Sequence, residues 1–363
     1  MKSVIDTIYV NGYEQVKSCT NPDIGLKAYL AVHNTKFGPA TGGCRIKQYI
    51  SDKDALQDTL KLAKAMTYKN TIADIPYGGG KLVIVANDLS LSHITNYSPE
   101  FYRNVGDFIN SLKGSFLVGM DMGMTDNYFK ILAGRTIHTY GFDQDTQTLF
   151  NPSEATAYGV YEAIKRISSA FLGKSLLDNM VFNLQGLGSV GSKVFKHLMY
   201  NGTNLHINIS ENDTNNCYIS RNSLPLTLVN NNTSSINREI ETYEDKCDFF
   251  IPCATGNILR KDNVDKIKAK FICGAANNQL EDETISYSLL QRDILYAPDY
   301  VVNAGGTIYA SMKQEGKSNF ECAVKINKHI DFLVEILKDS KMQMIPPNFI
   351  ANEIVNKKLG GNA

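Results

Sequence analysis

Gly186-Leu187-Gly188-Ser189-Val190-Gly191 is the segment that most narrows what this chain can fold into. An apolar stretch, Met180 to Leu184, leads into it, a helical pattern from about Val190 to Tyr200 leads out, and a second apolar stretch, Leu205 to Ile209, follows. Strand, glycine turn, helix and strand make a βαβ unit, which predicts a parallel sheet. In that setting one glycine makes the tight turn, one lets a pyrophosphate approach the backbone, and one lets helix and strand pack closely. The helix behind the turn then offers free amides and its positive dipole end to the phosphate. A bare G-x-G-x-x-G would be weak; the flanking elements make it a predicted dinucleotide site held by Gly186, Gly188, Ser189, Val190 and Gly191. The carboxylate for the ribose hydroxyls is expected near Ile209 and Ser210, and the nearest acids are Glu211 and Asp213. Glu211 is the candidate and would select NAD over NADP; a solvated loop acid is an equal alternative.

Around this unit the same rhythm continues. Short apolar runs at Phe249 to Ile251, Phe271 to Cys273 and Ile294 to Ala297 each end in small or polar residues, as successive strands of a doubly wound sheet do. Asn151-Pro152-Ser153 breaks the chain, with Ser153 a candidate cap for a helix from Ala155 to Ile167. Residues 210 to 236, rich in Asn, Ser and Thr, read as a solvated loop or insertion. A helix over Ile326 to Leu337 leads to Pro346-Pro347 and a short terminal helix. The first 140 or so residues also mix strands and helices. Leu26 to His33 and Thr41 to Tyr49 read as strands, and Ser51 with Asp54 opens a helix ending near Lys69, with Leu56, Leu60, Ala63 and Thr67 inward. A Pro-Tyr-Gly-Gly-Gly loop at 76 to 80, a strand from Leu82 to Ala86, and a helix from Pro99 to Leu112 with Phe101, Val105, Phe108 and Ile109 inward complete the pattern. The fold class is α/β in two domains.

Composition excludes several function classes. Basic and acidic residues balance at 37 each, so no global field draws the chain to nucleic acid or a membrane surface. The seven cysteines contain no C-x-x-C pair and the six histidines no H-E-x-x-H, which leaves a metal site without support. Cys44, Cys253 and Cys273 read as small buried residues rather than reactive thiols. No run approaches the roughly 20 apolar residues that cross a bilayer, and the N-terminus meets Asp6 before a signal core can form. A reducing cytoplasm is the expected compartment.

Two lysines stand apart: Lys69 in Met66-Thr67-Tyr68-Lys69 and Lys81 in Gly78-Gly79-Gly80-Lys81. The second is not a phosphate-binding P-loop, because Ile75 and Leu82 stand where that motif needs Gly and Ser or Thr. Oxidising an amino acid needs a cation for the α-carboxylate and a base that activates water against the iminium. A lysine serves as that base only if burial or a neighbouring cation makes its proton easier to lose. Two lysines on adjacent elements could supply one role each, with a carboxylate needed nearby to move protons at the amine; a pair of ordinary solvated lysines is the alternative reading.

At these residues the sequence resembles the leucine/phenylalanine/valine dehydrogenase branch of the glutamate dehydrogenase superfamily, over nearly its whole length. The resemblance is carried by Gly38-Pro39-Ala40-Thr41-Gly42-Gly43-Cys44-Arg45, Met66 to Lys69, Gly78 to Lys81, Asp121-Met122-Gly123 and Thr156-Ala157-Tyr158-Gly159. It continues through Gln185 to Gly191, Pro252-Cys253-Ala254, Asn278-Gln279-Leu280, Tyr296 to Tyr300 and Asn303-Ala304-Gly305-Gly306. It implies that Lys69 grips the substrate carboxylate with Asn303 and the amides of Gly42 and Gly43. Lys81 would activate water, Asp121 would shuttle protons at the amine, and Thr156, Ala254 and Asn278 would line the nicotinamide end of NAD. Hydride would pass from Cα to the nicotinamide, water would add to the iminium, and the carbinolamine would collapse to ammonia and the 2-oxo acid. The resemblance implies a substrate and oligomerisation domain over 1–142, with 342–363 packing back on it, and a Rossmann dinucleotide-binding domain over 143–341. A cleft between them would close on the substrate, and copies would assemble into a homo-oligomer.

Three positions bear on the substrate. Thr41 stands where glutamate-specific relatives carry a lysine, so glutamate is disfavoured. Gly119 stands where the leucine type tends to carry alanine and the phenylalanine type glycine. Thr307 stands where the leucine type usually shows valine. Leucine-like and phenylalanine-like substrates are thus evenly matched. The alternatives are a dehydrogenase of another amino acid such as glutamate or tryptophan, or a nucleotide-binding homologue without turnover. Asn277, where aspartate would be common, the displaced ribose acid and the stretch 210 to 236 depart from the family pattern.

Overall fold

The computed structural model describes residues 3–86, 97–174, 176–210, 233–237 and 242–361. They form two compact units, Met1–Phe150 with Ala310–Lys317, and Asn151–Tyr309 with Ser318–Ala363.

In the first unit β1 (Val4–Thr7), β2 (Gln15–Asn21), β3 (Leu26–Asn34), β4 (Ala40–Lys47), β5 (Gly78–Val85) and β6 (Phe116–Met120) make one mixed sheet. Their order is β1-β2-β3-β5-β4-β6, antiparallel as far as β5, with β4 parallel to both β5 and β6. A hairpin of β7 (Phe142–Asp143) and β8 (Thr148–Leu149) ends the unit's main segment. Along β3, Leu26, Ala28, Leu30 and Val32 enter one core and Ala31 another. The first core takes Phe101, Val105, Phe108 and Ile109 from the Pro99–Asn110 helix, as their spacing predicts. The second takes Ala63 from the Asp52–Ile72 helix. Both sheet faces are covered, which is why Leu26 to His33 reads as a nearly unbroken apolar run.

Ser51 caps the Asp52–Ile72 helix, accepting from the Asp54 amide at 3.2 Å. Its buried face is Ala55, Thr59, Leu62, Ala63, Thr67 and Asn70, so the expected stripe is shifted and Leu56 and Leu60 lie at its margin. Residues 78–80, expected in a loop, belong to β5. A Cβ on Gly78 would lie 1.9 Å from the Asn34 carbonyl oxygen, and one on Gly79 2.0 Å from the Thr67 nitrogen. Glycine there lets β3 and the helix close onto the strand.

The second unit carries β9 (Val181–Gln185), β10 (His206–Ser210), β11 (Thr233–Asn237), β12 (Cys247–Pro252), β13 (Ala269–Ile272) and β14 (Leu295–Tyr296). All are parallel, in the order β11-β10-β9-β12-β13-β14. That is the doubly wound dinucleotide-binding order, with the sequence direction reversing between β9 and β12. β11 lies within the stretch expected to be a loop; its Thr-Ser-Ser sequence gives no apolar signal. Glu211 lies outside the described residues.

Two expected boundaries move. Phe142 is buried in the first unit's core against the ring of Phe129, so that unit runs on to Phe150. The Pro347–Lys358 helix packs on the second unit, where Tyr300 Oη donates to Asn352 Oδ1 at 2.7 Å and the Tyr287 and Phe349 rings lie 5.0 Å apart. The described residues from Ser318 onward group with the second unit. Ser153 is the first residue of the Ser153–Leu172 helix rather than its cap, and its hydroxyl donates to Asn151 Oδ1.

Candidate active site

Strand parity decides which side chains of the first unit meet. Leu82 and Ile84 of β5, and Cys44 and Ile46 of β4, point into the core beneath the Pro99–Asn110 helix. Their odd-numbered neighbours Lys81 and Arg45 therefore face the other side, where the Asp52–Ile72 helix lies. Asp121, one residue past the end of β6, completes the group. Lys81 Nζ lies 2.5 Å from Asp121 Oδ2, and Arg45 Nε lies 3.2 Å from the same oxygen. Arg45 Nη1 also reaches Asp58 Oδ2 of the helix at 3.3 Å, and that oxygen accepts from Tyr49 Oη at 2.6 Å. The Lys81 side chain is 7% exposed and that of Asp121 25%, so both charges are largely withdrawn from water. Burial alone would raise the Asp121 carboxyl; Lys81, Arg45 and the Met122 amide together outweigh it and hold it at about 2.

Glycines shape the wall around this pair. A Cβ on Gly42 would sit 1.8 Å from the Gly80 oxygen, and one on Gly43 2.6 Å from Asp121 Cβ. The backbone of β4 thereby presses against the residues that carry Lys81 and Asp121. Thr41 is fully buried, its Oγ1 accepting from Asn70 Nδ2 at 2.9 Å, while Asn70 also donates to the Gly78 carbonyl. Gly119 of β6 lies beside Tyr140, whose carbonyl oxygen would be 3.2 Å from a Cβ there. Lys69 stands half-buried in the last turn of the helix that supplies Asp58 and Asn70. Cys44 is fully buried, and burial pushes its thiol far up, so it packs rather than reacts. Arg45, Asp58 and Tyr49 are absent from the sequence-level candidates. The available signal was Arg45 itself, at the end of the Gly42-Gly43-Cys44-Arg45 run and in phase with Lys81.

In the second unit the three glycines of the turn differ in their surroundings. Gly186 has φ +90°, open to glycine at no cost, and its missing Cβ leaves room for Ala254 at 2.8 Å. A Cβ on Gly191 would meet the Gly186 carbonyl oxygen at 2.0 Å, so this is the close-packing position. Gly188 has nothing within 4 Å of its Cβ direction, which leaves open space for a ligand's phosphates against the backbone. Ser189 is exposed, and its carbonyl accepts from Lys193 Nζ at 2.7 Å; Val190 precedes the Gly191–Asn201 helix, whose N-terminus carries no side-chain cap. These residues fit a dinucleotide pyrophosphate. Ala254, past the end of β12, touches Gly186 where the strand order reverses. Cys253 and Cys273 are packing residues; burial raises the Cys253 thiol to about 12 and the Cys273 thiol further.

The other expected residues of this unit fall into two groups. Thr156 Oγ1 donates to the Pro152 carbonyl at 3.0 Å, and Gly306 lies against it; Thr307 follows in the same helix, Gly305–Gln314. Asn278 takes a left-handed φ of 52° and its carbonyl accepts from the Asn257 amide at 2.7 Å. Asn303 is buried and donates from Nδ2 to the Ala275 carbonyl at 3.1 Å and to Asn277 Oδ1 at 2.9 Å.

Comparison with known proteins agrees with this architecture. The sequence profile described as "Glu/Leu/Phe/Val dehydrogenase, dimerisation domain" matches residues 13–138, and "Glutamate/Leucine/Phenylalanine/Valine dehydrogenase" matches residues 151–340. The phenylalanine dehydrogenase of Caldalkalibacillus thermarum is 35% identical over 350 residues, 96% of this chain and 92% of that one. The leucine dehydrogenase of Geobacillus stearothermophilus is 33% identical over 347 residues, 96% of this chain and 90% of that one. Among solved structures, L-tryptophan dehydrogenase from Nostoc punctiforme superposes with a TM-score of 0.77 at 32% identity, over 96% of each chain. Profiles that span both units in order, and relatives that cover almost the full chain, leave one conclusion. The chain belongs to the Glu/Leu/Phe/Val dehydrogenase family and is an amino-acid dehydrogenase, an oxidoreductase acting on the CH–NH2 group of its donors.

Proposed function

We propose that the enzyme deaminates an apolar L-amino acid of the phenylalanine or leucine type to its 2-oxo acid and ammonia, reversibly, with NAD as acceptor. The observation that carries this reading is the ion pair of Lys81 and Asp121, 2.5 Å apart and mostly dry, walled by glycine backbone. Lys69 takes the substrate α-carboxylate, helped by the amides of Gly42 and Gly43 and by Asn303. Asp121 exchanges a proton with the substrate nitrogen. Lys81, once neutral, takes a proton from water as that water attacks the iminium carbon, and returns it when ammonia leaves. Gly186, Gly188, Ser189, Val190, Gly191, Thr156, Ala254 and Asn278 hold the dinucleotide, which when bound supplies the two-electron acceptor. Glu211 is the proposed ribose contact. The first unit binds substrate and joins copies into a homo-oligomer, in keeping with its match to a dimerisation-domain profile. Among the described residues no disulfide joins the cysteines, in keeping with a reducing cytoplasm.

Substrate choice rests on Thr41, Gly119 and Thr307. Thr41 brings no charge, and its hydroxyl is already engaged by Asn70, so a glutamate side chain would stay unpaired at that wall. Gly119 sets no side chain against Tyr140, whose carbonyl oxygen would crowd even a methyl at 3.2 Å, and Thr307 has the shape of valine with an added hydroxyl. The test is reduced-cofactor formation with NAD and with NADP, using phenylalanine, leucine, valine, tryptophan and glutamate in turn. We expect NAD with an apolar substrate to exceed NAD with glutamate by about a hundredfold or more in kcat/KM. Glutamate as the best substrate would overturn the specificity, and no turnover with any amino acid would overturn the activity.

A further inference from the structure

Two cations share one oxygen of Asp121, and they differ in kind. Lys81 approaches Oδ2 from β5 at 2.5 Å and Arg45 from β4 at 3.2 Å. On the proposed reading Lys81 changes charge in every turnover, being neutral when it receives a proton from water. At that moment a carboxylate only 25% exposed would lose its nearest counter-ion. A withdrawn carboxylate without a partner takes up a proton instead of staying charged. Guanidinium cannot lose its proton in a protein. Arg45 is moreover held from behind, by Asp58 Oδ2 at 3.3 Å, and Asp58 by Tyr49 Oη at 2.6 Å. The anchor residues come from the Asp52–Ile72 helix and from the stretch after β4, so Arg45 stays in place even if the Lys81 side chain moves.

We propose that Arg45 is a positioning residue: a permanent counter-ion, braced by Asp58 and Tyr49, that keeps Asp121 ionised and oriented while Lys81 is neutral. The inference rests on the assignment of Lys81 and Asp121 to the chemistry. Among the described residues, the charged and titratable groups facing Asp121 are Lys81, Cys44 and Tyr49 besides Arg45, and those facing Arg45 are Asp58, Tyr49 and Asp121. Cys44 stays neutral, because burial raises its thiol. Arg45 is therefore the cation that remains on Asp121 once Lys81 is discharged.

Lys81→Met imitates the neutral lysine, so the direct test follows the Asp121 carboxyl in that background. Protein labelled with 13C at the aspartate side-chain carboxyl is titrated by NMR, with the Asp121 signal assigned by its loss in Asp121→Asn. In Lys81→Met, Asp121 is expected to titrate no higher than an ordinary aspartate. In Lys81→Met with Arg45→Met, its proton affinity is expected to rise by about tenfold or more, since both cations are gone and burial acts alone. Lys81→Met with Arg45→Lys should fall between them. Arg45→Gln, of similar length and with a hydrogen-bonding head, replaces Arg45→Met if that variant does not fold. In the Arg45 single variants the acid limb of kcat/KM should move to higher pH, whereas a merely structural role would lower thermal stability and leave the limb where it is. Identical Asp121 titrations with and without Arg45 would overturn the proposal. Absence of amino-acid turnover in the wild type would instead remove the functional reading, and the titration would still decide whether Arg45 holds the charge.

Discussion

Replacing Asp121 by Asn keeps the shape of the side chain and removes its charge, so Lys81 loses this counter-ion and Arg45 keeps that of Asp58. Turnover should fall by about 10²- to 10⁴-fold, the range for losing a positioned acid–base group. The same substitution has a signature in stability. The folded carboxyl sits at about 2, below the ordinary aspartate value of 3.8. Its stabilising contribution is therefore complete above the unfolded value and is lost as pH falls through the folded one. Denaturant unfolding should show the wild-type advantage over Asp121→Asn shrinking by roughly 2 kcal/mol between about pH 5 and about pH 2. An advantage that does not change with pH would contradict the assigned pairing. Gly119 makes a different kind of prediction. A methyl there would meet the Tyr140 carbonyl at 3.2 Å, so the neighbour must yield by a few tenths of an ångström and nearby volume is lost. Gly119→Ala should lower the ratio of phenylalanine to leucine kcat/KM by about tenfold. Measured ratios that stay level would remove Gly119 from the determinants of specificity.

Elements with a strong period or a sharp boundary were legible in the sequence. The glycine turn between β9 and the Gly191–Asn201 helix, the Ser51 cap and the inward face of the Pro99–Asn110 helix all follow from local chemistry. Elements without an apolar signature were not. β1 is exposed along its whole length, and β11 reads Thr-Ser-Ser-Ile-Asn, so pairing with a neighbouring strand is what marks them as strands. Gly78 to Gly80 looked like a loop because three glycines seldom make a strand, yet here the closeness of β3 and the helix demands them. The Arg45 to Asp121 contact joins residues 76 positions apart, which no local pattern exposes. The fingerprint element also separates two glycines by experiment. Gly191→Ala places a Cβ 2.0 Å from a carbonyl oxygen and should destabilise the second unit by a few kcal/mol. Gly188→Ala meets nothing within 4 Å, so it should fold normally and weaken NAD binding instead. Thermal unfolding and NAD titration of the two variants check the pair; equal stability would reject the assigned packing role of Gly191.

The two units carry different halves of the proposed chemistry. The first holds Lys81 on a mixed sheet, Asp121 just past its last strand and Lys69 on the helix against it, and the second holds the glycine turn on a parallel sheet. Dehydrogenation needs both, so a variant that disables one should leave the other's binding intact. That expectation gives the most direct measurement: the initial rate of NADH formation from phenylalanine and leucine by wild type and by Lys81→Met, with NAD affinity measured on the same samples. The account predicts turnover in the wild type, a loss of about 10²- to 10⁴-fold in Lys81→Met, and unchanged NAD affinity. A Lys81→Met enzyme as fast as the wild type would contradict it.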